Sequence, residues 1–154
     1  MFKNMRRKDR MVEAQECSDI LMKAEFGTLA TIGENGYPYS IPLSYCYIDD
    51  VLYFHCAGTG KKLDDINYNS KVSFSVVGST NVIQEKFTTT FESVILFGTA
   101  EIATGEDKER GLLGLVEKYS PDFYEAGKQY IAKAVDHTTV VMIKVDHITG
   151  KASR

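Results

Sequence analysis

Between Asn35-Gly36 and Asp49-Asp50 the chain alternates without interruption. Tyr37, Tyr39, Ile41, Leu43, Tyr45 and Tyr47 share one parity, and Pro38, Ser40, Pro42, Ser44 and Cys46 share the other. A period of two sends these sets to opposite faces of an extended strand, and no helix could bury either set on one side. Asn-Gly suits a type I′ hairpin turn, where both central residues take positive φ. Pro38 and Pro42 have no N–H to give a ladder, so the strand belongs at an edge or a bulge, beside a ligand or a partner.

Shorter alternating runs flank it. Thr28–Ile32 reads as the preceding strand, and Val51–Ala57, Lys71–Val77, Ser93–Ile102 and Thr138–Val145 as later ones, which makes six. Helical spacing places Cys17, Ile20, Leu21 and Ala24 on one face of a helix over Glu13–Ala24, which Gly27 ends. A short helix is expected from Lys61 to Tyr68, with Leu63 and Ile66 inward. Thr104 with Asp107 resembles a capping box opening a third helix, with Leu112, Leu115, Val116 and Tyr119 buried. Ser120-Pro121 starts a fourth, reaching Val135, with Phe123, Gly127, Tyr130, Ile131 and Ala134 in register. Strands joined mainly by short turns, with few helices, do not form a βαβ series. The pattern predicts an antiparallel barrel with peripheral helices, in one domain over residues 1–154.

Charge and cysteine use narrow the function. A net charge of −3 gives no broad basic surface for nucleic acid. The exception is the start, where Lys3, Arg6, Arg7, Lys8 and Arg10 read as a solvated basic arm. No apolar run approaches the ~20 residues that span a bilayer, and the N-terminus has no apolar signal segment, so a cytoplasmic location is expected. Cys17, Cys46 and Cys56 match no metal-binding spacing and read as reduced core thiols; no metal is expected.

The chemistry concentrates around Phe54-His55-Cys56-Ala57-Gly58-Thr59-Gly60-Lys61-Lys62-Leu63-Asp64. Here a strand runs through glycines into a helix whose first turn holds two lysines. Free N–H groups, the positive end of the helix dipole and ammonium groups make an anion site, most simply for a cofactor phosphate. A solvated helix-start turn would look the same. A nucleoside-triphosphate loop would need four residues between its glycines and Ser or Thr after lysine, and neither is present. No Gly-x-Gly-x-x-Gly follows a strand, so a Rossmann nicotinamide site is absent.

Several stretches taken together resemble one family. They are Met5-Arg6-Arg7-Lys8-Asp9-Arg10, Tyr37–Tyr45, Tyr53–Ala57 with Gly60 and Lys62, Lys71-Val72-Ser73-Phe74, Phe91, Ser93-Val94, Phe97-Gly98 and Thr149-Gly150-Lys151. In order and spacing they resemble the pyridoxamine 5′-phosphate oxidase-like superfamily, and within it the nitroimidazole-resistance proteins. The resemblance implies a six-stranded split β-barrel and a homodimer with flavin sites in the subunit interface, FMN usually and FAD sometimes. It implies that the phosphate lies near Cys56, Ala57, Gly60, Lys61 and Lys62, with Lys62 at the matching position and Lys61 variable. Pro42, Leu43, Ser44 and Tyr45 would line the flavin ring, while Phe91, Ser93 and Val94 would approach from the partner subunit. The residues from Asp146 to Arg154 do not reproduce the basic pattern that grips substrate in true pyridoxamine-phosphate oxidases, so vitamin synthesis is not expected.

His55 is the remaining question. A lone mid-strand histidine is often a hydrogen-bonded structural residue. The resistance proteins resembled here carry histidine at the matching position beside the ligand, where an imidazole could donate a proton and contact the cofactor. The expectation is a flavin-dependent oxidoreductase, nitroreductase-like, acting on a small molecule with NAD(P)H as a visiting electron donor. The alternative is a flavin-binding or haem-handling protein without turnover.

Overall fold

All strands join one antiparallel sheet in the order β3-β2-β6-β7-β8-β5-β4, with β1 added to β8. In the computed structural model, which describes residues 1–154, these are β1 (Met11–Val12), β2 (Gly27–Ile32), β3 (Pro38–Leu43), β4 (Cys46–Ile48), β5 (Val51–Cys56), β6 (Lys71–Ile83), β7 (Thr88–Ile102) and β8 (Thr139–Ser153). The helices are α1 (Ala14–Lys23), α2 (Lys61–Tyr68), α3 (Gly105–Tyr119) and α4 (Tyr124–Ala134). The two ends of the ladder, β3 and β4, are separated in sequence only by Ser44 and Tyr45. Laid flat, those edges would stand about 29 Å apart, whereas Leu43 and Cys46 can be at most ~10 Å apart. The sheet must therefore curl until its edges meet without pairing, which is a split barrel.

Eight strands stand where six were expected. The two-residue β1 is too short to show a period, and the Tyr37–Tyr47 run divides at the closing corner. Its face assignment survives the division. Ile41, Leu43, Tyr45 and Tyr47 all join or pack on the barrel interior, whereas Cys46 belongs to a separate cluster outside it. Tyr37 departs from its set and is exposed. The edge position expected from the two prolines holds, since β3 pairs only with β2.

The interior is filled by Leu29, Leu52, Phe54, Phe74, Leu96 and Ile143 from the sheet, by Tyr45 from the corner between β3 and β4, and by Ile20, Leu21, Leu63 and Ile66 from α1 and α2. A second cluster seats Leu112 and Leu115 of α3 on Tyr53, Val140 and Met142 of the outer face. Both faces of β5 are thus covered over most of its length. The fourth helix buries less than its periodicity suggested. It begins after a 3₁₀ turn at Pro121–Phe123, its own residues include none that are buried, and Phe123 and Tyr130 are exposed. Thr104 does precede α3, but its side chain forms no capping bond, so the expected box is not made.

Three strands run longer than expected. The ends of β6 and β7 continue as an exposed polar ribbon to a turn at Gln84–Lys86, where the absence of buried residues removes the alternating signal. In β8 the parity slips between partners Phe97↔His147 and Gly98↔Val145, so the alternation breaks after Val145 although pairing continues to Ser153. A Cβ on Gly98 would lie 2.5 Å from Ile143 Cγ2 and 2.5 Å from the Lys144 carbonyl oxygen, so the strands can approach at this bulge only over glycine.

Candidate functional site

The phosphate-like turn is built where β5 ends. After Cys56 the chain passes Ala57-Gly58-Thr59 and enters α2 through Gly60, whose φ of 145° is one that side chains rarely adopt. The Gly60 carbonyl accepts the N–H groups of Leu63 and Asp64, at 3.1 Å each. No side chain caps the helix. The N–H groups of Lys61 and Lys62 therefore have no intrahelical acceptor and face outward from the helix start.

The two lysines are not equivalent. Lys61 is held by Asp65, with Nζ donating to its carboxylate oxygens at 3.0 and 3.2 Å. Asp65 is only 3% exposed and also accepts the Thr31 hydroxyl at 2.7 Å. This lock ties the first turn of α2 to β2. Lys62 has no carboxylate partner; its charge is felt instead at Cys56, whose thiol burial pushes up and Lys62 pulls back. The free cation thus sits between the strand end and the helix start.

The Asp65 lock escaped the sequence reading. Its available signal was the i,i+4 spacing of Lys61 and Asp65, which alone describes many solvated helix faces. Burial raises the Asp65 pKa, but the hydrogen bonds from Thr31 and Lys61 outweigh it and hold the carboxyl below its ordinary 3.8. Because the folded value lies below the unfolded one, the stabilisation is complete above about pH 4 and is lost as pH falls through the folded value. Asp65→Asn is expected to lower stability at pH 7 by about 1–3 kcal/mol. Urea midpoints measured from pH 6 to pH 3 should fall less steeply for this variant than for wild type.

The remaining expected residues divide by exposure. Pro42, Ser44, His55, Ala57, Gly60 and Lys61 are exposed, while Leu43, Cys56, Lys62, Phe91 and Ser93 are half-buried. Tyr45 and Val94 are fully buried, so only their backbone could meet a ligand. The Tyr45 hydroxyl donates to the Leu21 carbonyl at 2.5 Å, its ring meets Phe74 edge-on at 4.9 Å, and Lys118 Nζ lies 3.7 Å from its centroid. Burial pushes its phenol far up and brings the Lys118 ammonium down to about 8. Tyr45 is thus a corner pin of the barrel.

His55 takes a different position from its neighbours. Leu52 and Phe54 fill the interior, Tyr53 lies under α3, and His55 emerges beyond that cover, paired through the backbone with Val140. Its ring is exposed and has no hydrogen-bond partner in the chain, so it is not the satisfied structural histidine that a mid-strand position allows.

Within one chain the expected site residues fall into two separate groups. Cys56 pairs with Thr139 at one end of β8, and Ser93 pairs with Lys151 near the other, twelve residues further along. At about 3.3 Å per residue that is roughly 40 Å of strand.

Residues 13–152 match the sequence model described as pyridoxamine 5′-phosphate oxidase. The chain belongs to that family. Its fold is the FMN-binding split barrel, which the closed sheet reproduces. No curated protein matches this family member by sequence. Among solved structures it is similar to a candidate 5-nitroimidazole antibiotic resistance protein from Bacteroides thetaiotaomicron, with 21% identity, TM-score 0.75, and 92% of this chain and 86% of that one covered. It is also similar to a FAD-binding protein from Mesorhizobium loti, with 22% identity, TM-score 0.64, and coverage of 94% and 98%. A FAD- and haem-binding protein from Mycobacterium smegmatis matches with 20% identity, TM-score 0.77, and coverage of 94% and 74%. No helix of this family member is long and apolar enough to cross a membrane.

Proposed function

We propose that this family member binds FMN, or FAD, in a homodimer and reduces small electrophiles such as nitro compounds, with NAD(P)H as transient electron donor. The observation that carries the reading is the uncapped start of α2, where Lys61 is neutralised by Asp65 and Lys62 is left free. Two free N–H groups and one unpaired ammonium fit a flavin phosphate, and the buried Asp65 keeps the turn in shape. When bound, a flavin supplies electron transfer through its ring. Exposed Pro42 on β3 and exposed Ser44 just beyond its end offer a flat wall for that ring, next to the corner pinned by Tyr45. An exposed ring engaged by nothing else supports His55 as the group that gives a proton to the substrate.

The separation of the expected site residues supports a homodimer. The turn at Gly60–Lys62 and the segment Phe91–Val94 stand too far apart along β8 for one flavin to be expected to reach both in one chain. A second copy resolves this, with Phe91–Val94 of one protomer completing the site of the other. Exposed Ile95 and Phe97 on the same strand support an interface there.

The test joins ligand and assembly. Titration of purified protein with FMN and FAD is expected to give low-micromolar or tighter binding to one of them, and sedimentation should give a dimer at micromolar concentration. Absence of binding by both flavins below the high-micromolar range removes the reading. A stable flavin-loaded monomer keeps the flavin and removes the shared site.

A further inference from the structure

The outer face of β7 and β8 carries a second basic concavity, away from the Gly60–Lys62 turn. Antiparallel register sets Ser93 opposite Lys151 and Ile95 opposite Thr149. The basic arm expected to be a solvated tail lies across them. Phe2 stacks on His147 at 4.6 Å and 6° and sits 5.1 Å from Phe97, which pins the beginning of the arm to this face. Further along, Met5, Arg6 and Arg7 close over the Ser93–Lys151 region and leave a groove of about 220 Å³, lined also by Ile95 and Thr149.

Its charge is one-sided. The ionisable lining groups are Arg6, Arg7 and Lys151, with no carboxylate among them. Arg7 is neutralised by Asp9, through Nε at 2.8 Å and Nη2 at 2.6 Å, and this pairing holds the arm in a tight turn closed by the Arg10 N–H on the Arg7 carbonyl. Arg6 has no acidic partner. Lys151 is half-buried, with Nζ 5.4 Å over the Phe91 ring. The neighbouring Glu92 and Glu16 are engaged by Arg154 on the other side of the strand pair. Two uncompensated cations and the hydroxyls of Ser93 and Thr149 thus converge on one small space.

The size limits the occupant. Pockets that enclose a whole cofactor-sized molecule usually run to about 300–1,000 Å³. This groove suits the charged end of a larger molecule. Guanidinium and ammonium groups with hydroxyl donors match phosphate oxygens, which accept several charge-assisted bonds at once.

We propose that the groove between Arg6, Ser93, Thr149 and Lys151 is a second phosphate site, which takes a nucleotide phosphate of a ligand whose reactive part lies in the partner protomer's flavin site. The phosphate-binding claim stands on the groove alone; the placement of the reactive part rests on the flavin reading above. The phosphate belongs either to the adenylate half of FAD or to NAD(P)H, and both present the same chemistry to these residues.

The experiment compares wild type with Arg6→Ala/Lys151→Ala. Calorimetry at low salt with pyrophosphate and then ADP is expected to show binding that weakens at least tenfold in the double variant. The same drop should appear in a Lys62→Ala background, because Lys62 is not among the residues that line the groove. Unchanged pyrophosphate and ADP affinity in the double variant overturns the proposal, as does a drop that vanishes once Lys62 is gone. With flavins, an FAD affinity that falls at least tenfold while FMN affinity moves less than twofold assigns the groove to the adenylate half. A KM for NADPH that rises at least tenfold with FAD and FMN affinity unchanged assigns it to the visiting donor. Equal losses for FMN and FAD with an unchanged KM for NADPH overturn it. If no flavin binds to wild type, the pyrophosphate and ADP titrations still decide the groove, so the two readings fail separately. Retained thermal stability of the double variant, within about 2 °C, excludes loss of the arm's fold as the cause.

Discussion

His55→Ala is expected to leave flavin affinity within about 1 kcal/mol and to cut turnover of a nitroaromatic steeply. Removal of a positioned general acid generally lowers rate by roughly 10²–10⁴-fold. The fold should survive, because the imidazole is exposed and holds nothing in place. Stopped flow separates the two halves of the cycle. Reduction of the flavin by NAD(P)H needs no proton from this position and should change little, whereas reoxidation by the nitro compound should slow. Equal slowing of both halves would assign His55 to structure. Slowing of neither would assign the proton to water, since the phenol of Tyr45 is buried and already donates to Leu21.

Lys62→Ala should weaken FMN binding by roughly 1.5–3 kcal/mol, the scale of a charge-assisted hydrogen bond to phosphate. Lys61→Ala should do less to affinity, although it stands one residue away. Its ammonium already serves Asp65, so its removal mainly disturbs the lock beneath the turn. Calorimetry on both variants gives the ordering directly. If Lys61→Ala proves the more damaging to FMN with the melting temperature unchanged, the phosphate lies on the other lysine. Raising salt should narrow the difference between the variants, because the exposed part of the site is screened.

Much of the architecture was legible in the sequence, and the reasons are local. The Tyr37–Tyr47 alternation announced its faces because, Tyr37 aside, one side meets the interior, while the other meets solvent except at Cys46, and Pro38 and Pro42 announced an edge. The division of that run was not legible, because the corner at Ser44-Tyr45 keeps the same parity on both sides. The far end of β8 was hidden for the opposite reason: the bulge opposite Phe97-Gly98 breaks parity where pairing does not stop. In the site, Gly60 and the lysines could be read from order alone. The resemblance set Lys62 apart from Lys61, but the physical cause was hidden, since Asp65 holds Lys61 with the help of Thr31, which lies far away in sequence and meets Asp65 only after β2 and α2 pack. The arm looked like a tail because five cations crowd its first ten residues; Phe2 against His147 is a contact that only the folded barrel creates.

The place of β8 in the sheet has a consequence for how the protein comes into being. It is the only element that pairs with β1, β5 and β7 alike, and it follows all of them in chain order. Until residues 139–153 have left the ribosome, the β4–β5 hairpin has no ladder connection to the rest of the sheet, and the barrel cannot close. The growing chain must hold Leu52, Phe54 and Leu96 without their final neighbours during that interval, with an unpaired edge on β7. Premature termination just before β8 would therefore release two unjoined pieces of sheet, and the exposed edge of β7 would be a route to aggregation.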